Sequence, residues 1–243
     1  MLFVLRQLRR LELRQRSGRY FLYAIGETVL IVVGILIALQ IQNWNQQRLD
    51  KIEEGYLLEE LIDNLNLEAE RWKIVLKLMD KRLEDYQSIR DFIENGTGSP
   101  ETFNEDITSL VGTTGLNPAT SAYESMKNGR IGFSSRELKA ELIQYYDFMQ
   151  KSIASALDKQ DTLVSNQVEP LFAKYLKAIH GSRNTGTTAV PKDIDDPEFQ
   201  EAMLGLVVMF EPRVRSNQER IETLLERNRE ILTLVEQELE ELR

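Results

Sequence analysis

An apolar run near the start of the chain is the feature that most constrains its fold. Residues 20–45 read YFLYAIGETVLIVVGILIALQIQNWN, and between Thr28 and Leu39 only Thr28 and Gly34 are not apolar. At about 1.5 Å per residue, roughly 20 helical residues match the hydrocarbon core of a bilayer, which is about 30 Å thick. The run therefore predicts a single transmembrane helix over residues 20–41.

Aromatic side chains stand at both ends of this run. Tyr20 and Tyr23 come at its start, and Trp44 follows it within a polar cluster of Gln and Asn residues. Amphipathic rings favour the headgroup layer of a bilayer. We therefore predict that these three residues are interface anchors and that the lipid bilayer is the first partner of the chain.

One side of the predicted span combines an ionisable residue with small residues. Glu27, Gly34, Ala38 and Ile41 share a face of a helix with 3.6 residues per turn. A carboxylate at this depth is costly unless it is neutral, paired or reached by water, and small residues four apart let a second helix approach closely. We predict that this face packs against protein. Two alternatives stay open, because Gly and Ala are common in all membrane helices and a glutamate near the headgroups can extend into the interface.

The charge distribution predicts the orientation of the span. The first 19 residues hold six arginines and one acidic residue, Glu12, a net charge of +5; the whole chain carries −9, so the remainder carries −14. Positive flanks stay in the cytoplasm. We predict a basic cytoplasmic segment over residues 1–19 and an acidic extracytoplasmic domain over residues 42–243. In a bacterium with two membranes, this is an inner-membrane protein with a periplasmic domain.

The sequence leaves two structures open for the basic segment, and it favours an uncleaved apolar run. Residues 1–19 are moderately amphipathic, so they form either a helix on the anionic inner leaflet or a solvated flank that only sets orientation. The apolar run is longer than the core of a cleaved signal peptide, and no small-residue cleavage site follows it. An uncleaved signal anchor is the prediction.

Apolar residues in the acidic domain recur at steps of three and four, which predicts an all-α fold class. The expected architecture is an elongated extramembrane helical bundle with long heptad-like helices. The helical segments are residues 52–94, 134–180, 197–210 and 213–243. In the first of them the predicted buried seam runs through Leu58, Ile62, Leu65, Ala69, Trp72, Leu76, Met79, Leu83, Tyr86 and Ile93, and only Arg90 interrupts it. No strand pattern competes with this interpretation.

Glycine and proline residues predict where the helices begin and end. Asn117 followed by Pro118 predicts the start of a short helix, and Pro170 predicts a kink or a division in the segment that reaches about His180. Residues 181–191, GSRNTGTTAVP, predict a flexible polar loop. Pro212 predicts a break before the last helix, in which Asn228 is the polar residue expected to specify register.

Two stretches resemble a known family. The anchor from Tyr20 to Asn45 and the later motif TSAYESMKNGRI with ELKAELIQYYD are similar to an uncharacterised family of bacterial single-pass membrane proteins, known only as a domain of unknown function. In that family an Asn-Asn-Trp-Asn-acid run usually follows the span, and Gln42 and Gln46 depart from it here. The resemblance implies an N-terminal anchor and a helical extramembrane domain. It implies no activity and no catalytic residues.

The residue inventory indicates no catalytic, cofactor or metal site. The chain has no cysteine and one histidine, His180, so it lacks thiolate ligands and the paired Glu-x-x-His motifs of a di-iron bundle. Its glycines match neither a P-loop nor a dinucleotide fingerprint. The acidic domain is also a poor candidate for nucleic-acid binding.

Three functions remain as hypotheses. The favoured one is a non-enzymatic, anchored interaction protein: an accessory or scaffolding subunit of a larger inner-membrane assembly, or a homo-oligomer. The second is a ligand-sensing or regulatory periplasmic bundle that acts through a partner, since 19 cytoplasmic residues cannot hold an output domain. The third is an ion-pathway component that uses Glu27 as a relay.

Overall fold

The chain is all-α, as predicted, apart from one two-stranded hairpin. The structure is a computed structural model that describes the backbone of residues 2–112, 115–129, 133–182 and 186–242, and the side chains of residues 25–112, 115–129, 133–181 and 187–242. About 85% of it is helical. Two compact units divide the chain, Met1–Glu53 and Glu54–Arg243.

The elements follow one another in this order. Helix α1 is Leu2–Asn95, α2 is Pro100–Asp106, a 3₁₀ turn is Ile107–Val111, and α3 is Ser121–Asn128. Helix α4 is Arg136–Ile143, and two π-helical segments, Gln144–Gln150 and Val164–Val168, lie on either side of α5, Lys151–Leu163. Helix α6, Glu169–Tyr175, leads to strands β1, Leu176–Ser182, and β2, Gly186–Pro191, and α7 is Pro197–Leu242.

The first unit contains the apolar part of α1. From Ile25 onward, a window of 18 residues has a mean hydropathy of 2.0, and none of it is buried. By length and composition this helix is long and apolar enough to cross a membrane, and it is the one such helix in the part of the chain that the structure describes.

In the second unit, α1 buries two lines of residues spaced by sevens. The first line, Leu58, Leu65, Trp72, Met79 and Tyr86, confirms half of the predicted seam. The second line is Leu61, Glu68, Val75, Arg82 and Ile89. Other residues of the predicted seam, such as Ile62 and Leu76, are only half-buried. The predicted residues come one position after those of the second buried line. The error arose because that line contains two charged residues, Glu68 and Arg82, which a hydropathy pattern leaves out.

The last helix continues through Pro212, so the predicted break there is wrong. Proline lacks the N–H that would reach the carbonyl of Val208, but Phe210 and Val214 on either side of it are buried in the core. The guanidinium of Arg213 donates to the carbonyl of Met209, one turn back. Core packing and this side-chain bond together hold the helix across the proline.

The helical segment predicted to reach His180 ends at Tyr175, and a β-hairpin replaces the predicted polar loop. Strand β1 pairs antiparallel with β2, with His180 opposite Thr188. Gly181 has φ 100°, which other residues adopt only with strain. Ala189 is fully buried against the core, so the small apolar side chain of an otherwise polar stretch holds the hairpin in place. The expectation that no strand occurs is therefore wrong.

The short helix α3 begins later than Asn117 and Pro118 predict. The carbonyl of Asn117 accepts a bond from Arg71 Nη1 at 2.5 Å, and the backbone N–H of Ala119 donates to Glu68 Oε1 at 2.9 Å. Both bonds tie the segment to α1 rather than to a helical turn, so the helix begins at Ser121.

Candidate functional site

The residues predicted to pack against protein, and the interface anchor Trp44, are exposed in the described part of the first unit. Glu27, Ala38, Ile41 and Trp44 are exposed, and a Cβ added at Gly34 would meet nothing within 4 Å. The backbone of α1 keeps Glu27, Gly34, Ala38 and Ile41 on one face. The side chains of the other two predicted interface anchors, Tyr20 and Tyr23, lie outside the described residues. Packing of this face against protein stays a prediction.

A line of large aliphatic side chains on α1 faces away from the core of the second unit. Leu67, Ile74 and Leu78 are 47%, 59% and 54% exposed. Their spacing of seven and four residues places them on one side of the helix, and we call these three residues the α1 stripe. Single exposed hydrophobic residues are normal, whereas contiguous apolar surface marks interaction sites.

The interior of the second unit holds a carboxylic acid, Glu68, which is 0% exposed. It accepts hydrogen bonds from the hydroxyl of Tyr145 at 2.9 Å, from Nε2 of Gln150 at 3.2 Å and from the backbone N–H of Ala119 at 2.9 Å. Burial raises the pKa of Glu68 to about 7, and the three hydrogen bonds oppose that rise. Near neutral pH the acid is therefore close to half-protonated.

Tyr145 links this acid to helix α7 as well as to α1. Its hydroxyl accepts hydrogen bonds from Nδ2 of Asn228 at 3.0 Å and from Nε1 of Trp72 at 3.4 Å. The same Asn228 amide donates to the carbonyl of Leu65 at 3.1 Å. Asn228, predicted as the polar residue of the last helix that specifies register, therefore lies in the core and bonds across two helices.

A cleft of about 400 Å³ lies between α5 and α7. Its cationic lining residues are Lys159, Arg213 and Arg220, and no acidic side chain lines it. Among the described residues, none of these three cations forms a salt bridge. The cleft is thus a basic site within a strongly acidic domain.

Hydroxyls and amides complete the lining of the cleft. Ser152, Ser155 and Ser216 contribute hydroxyls. Gln160 and Asn217 are both buried, and Nδ2 of Asn217 donates to Oε1 of Gln160 at 3.0 Å. Both amide side chains line the cleft. The cleft can therefore offer both charge and directed hydrogen bonds to a ligand.

Metal-binding geometry is absent from the described residues: no three His, Cys, Asp or Glu side chains come together there. His180, the one histidine, is exposed on β1. The residues that the structure brings together are instead Glu68 with Tyr145, and Lys159 with Arg213 and Arg220.

These features define a class of protein: an all-α helical bundle with one N-terminal helix that is long and apolar enough to span a membrane. No protein-family model, curated protein or solved structure matches the chain.

Sequence reasoning missed both the buried acid and the cleft, for different reasons. Glu68 had a signal, because it lies seven residues from Leu61 and from Val75, two buried residues. A polar residue in a heptad line is a candidate for a buried, hydrogen-bonded group. The cleft had no local signal, since Lys159 lies 54 and 61 residues before Arg213 and Arg220 in the chain.

Proposed function

We propose that this chain is a non-enzymatic, membrane-anchored interaction protein, an accessory or scaffolding subunit of a larger inner-membrane assembly. Its N-terminal apolar helix spans the inner membrane, with the basic segment in the cytoplasm and the acidic helical domain in the periplasm. The observation that carries the proposal is the α1 stripe, three exposed aliphatic residues on the same helix as the apolar segment.

A heterologous subunit is the partner that the charge favours. The chain beyond residue 19 carries −14, so two copies of the acidic domain repel each other. A partner helix with apolar residues at steps of three and four would match the stripe. Basic residues beside them would match the negative charge of the domain. Anchoring both proteins in one bilayer raises their effective concentration, so that a contact of modest area suffices.

Purification of the tagged full-length chain from native membranes in mild detergent tests this proposal. Mass spectrometry and native sizing should find heterologous membrane subunits in a reproducible ratio to the chain. A stable, lone monomer would contradict the interaction role, and a homo-oligomer without other subunits would replace the heterologous partner with a second copy.

Ligand sensing is a second candidate function, and the basic cleft between α5 and α7 favours it. A helical bundle that binds a small molecule between two helices can change their packing, and a membrane partner would then have to read the change. Loss of ligand binding in cleft variants without loss of partner binding would separate this function from the first.

A further inference from the structure

The cleft between α5 and α7 has the composition of an anion site. Lys159, Arg213 and Arg220 line one volume from exposed positions, and none of the three forms a salt bridge among the described residues. Arg213 bonds to the Met209 carbonyl through Nη1, which leaves the other N–H groups of its guanidinium for a ligand. Arginine presents its donors in a planar fork that matches the oxygens of phosphate and carboxylate groups.

The volume and the neutral lining indicate more than a bare ion. A volume of about 400 Å³ lies in the range of small-molecule sites and far exceeds the roughly 30 Å³ of one water. Ser152, Ser155 and Ser216 line the cleft from exposed positions and bring three hydroxyls to it. Together with Nε2 of Gln160 they suit the hydroxyl groups of a polyhydroxylated ligand.

The backbone beside this cleft departs from regular α-helix. The lining residues of α5 lie between two π-helical segments, Gln144–Gln150 and Val164–Val168, and those of α7 follow directly after Pro212. Single π turns inside α-helices occur frequently at functional sites. Small side chains, among them Ala156, line the cleft where larger ones would close the gap.

We propose that this cleft binds a phosphate monoester on a small polyhydroxylated body, with Lys159, Arg213 and Arg220 on the phosphate and the serine and amide groups on the hydroxyls. Two small molecules share that chemistry, a hexose phosphate and glycerol 3-phosphate. The inference does not rest on the interaction role, because binding to the purified chain is measured without any partner.

Calorimetric titration of the full-length chain in detergent tests the proposal with four probes: glucose 6-phosphate, glycerol 3-phosphate, inorganic phosphate and uncharged glucose. We expect the two esters to bind more tightly than inorganic phosphate, and glucose not to bind. The tighter ester shows whether the cleft prefers a hexose or a glycerol body. Equal binding of inorganic phosphate would overturn the polyhydroxylated part of the proposal, and the absence of binding by every phosphate probe would overturn all of it.

Matched variants localise the site. Arg220→Gln should weaken ester binding roughly tenfold, the effect of about 1.4 kcal/mol, and adding Lys159→Gln should weaken it further. Arg229→Gln removes the same charge from an exposed position on α7 outside the cleft and should leave binding unchanged. Equal losses in the Arg220 and Arg229 variants would show an effect of net charge alone and would contradict a built site.

Discussion

The hydroxyl of Tyr145 donates to Oε2 of Glu68 at 2.9 Å inside the bundle, and this bond joins two segments 77 residues apart. Because the hydroxyl also accepts from Asn228 at 3.0 Å, a single oxygen connects α1, the π-helical segment Gln144–Gln150 and α7. Buried polar networks stabilise a fold when their members are satisfied, and they are costly when one partner is removed. The bundle should therefore be sensitive both to pH and to substitution at this point.

Substitution of Glu68 should change how stability depends on pH. The pKa of this carboxyl is raised from 4.5 to about 7 by burial, so between these values the folded chain holds a proton that the unfolded chain releases. The stability from this proton is fully present below pH 4.5 and is lost as the pH rises through about 7. Glu68→Gln carries no such proton. Relative to the wild type, its free energy of unfolding should rise by about 2.5 kcal/mol between pH 5 and pH 8.

Chemical denaturation at both pH values measures this difference, and Glu84→Gln on the exposed side of α1 is the control. The control should shift stability equally at pH 5 and pH 8. A Glu68→Gln variant whose difference from the wild type is the same at the two pH values would show that the buried carboxyl does not change its protonation on folding.

Removal of the Tyr145 hydroxyl should weaken the bundle and strengthen the pH effect. Tyr145→Phe takes one hydrogen bond from Glu68 and one acceptor from Asn228, which should lower the free energy of unfolding by about 1–3 kcal/mol. Since that bond opposes the rise in the pKa of Glu68, the pKa should rise further in the variant. Thermal unfolding and a pH titration of stability measure both effects. Tyr56→Phe, at an exposed position, should change neither.

Replacement of Pro212 tests whether α7 is continuous. In an unbroken helix, Pro212→Ala restores an N–H for the Val208 carbonyl and removes a steric conflict, which should stabilise the chain by about 1–3 kcal/mol after the loss of proline's restraint on the unfolded state. Thermal unfolding gives the result, with Glu222→Ala as an exposed control in the same helix. A destabilised Pro212→Ala variant would indicate that the chain needs a break there.

The parts of the fold that sequence predicted are those set by local periodicity. The apolar run is long, and apolar residues recur at steps of three and four along α1 and α7. The helical character of these segments therefore follows from the chain alone. The hairpin at residues 176–191 was missed because residues 176–180 were predicted as the end of a helix and residues 181–191 as a polar loop. The burial of Leu176 and Ala189 against other elements holds the two strands in place. The continuity through Pro212 was missed because core packing, which the local rule ignores, compensates for one lost hydrogen bond.

The roles of several charged residues depended on contacts between distant segments, which no single segment contains. Arg90 was predicted only as an interruption of the seam, yet its guanidinium forms a salt bridge with Glu211 of α7 at 2.6 Å. Glu68 likewise acquires its raised pKa from burial among other elements, while the hydrogen bonds from those elements oppose the rise. Charged residues in an apolar pattern are thus places where the partner, and not the local sequence, explains the choice of residue.

The measurement that tests the central claim most directly compares partner recovery between stripe variants. Leu67, Ile74 and Leu78 are each changed to Gln, which keeps helix propensity and removes the exposed apolar surface. The control, Val208→Gln, changes a residue of α7 that is 66% exposed. After purification from native membranes, the stripe variant should keep its thermal stability and lose most of the heterologous subunits that the wild type and the control retain. Full recovery of those subunits by a folded stripe variant would contradict the proposed docking surface.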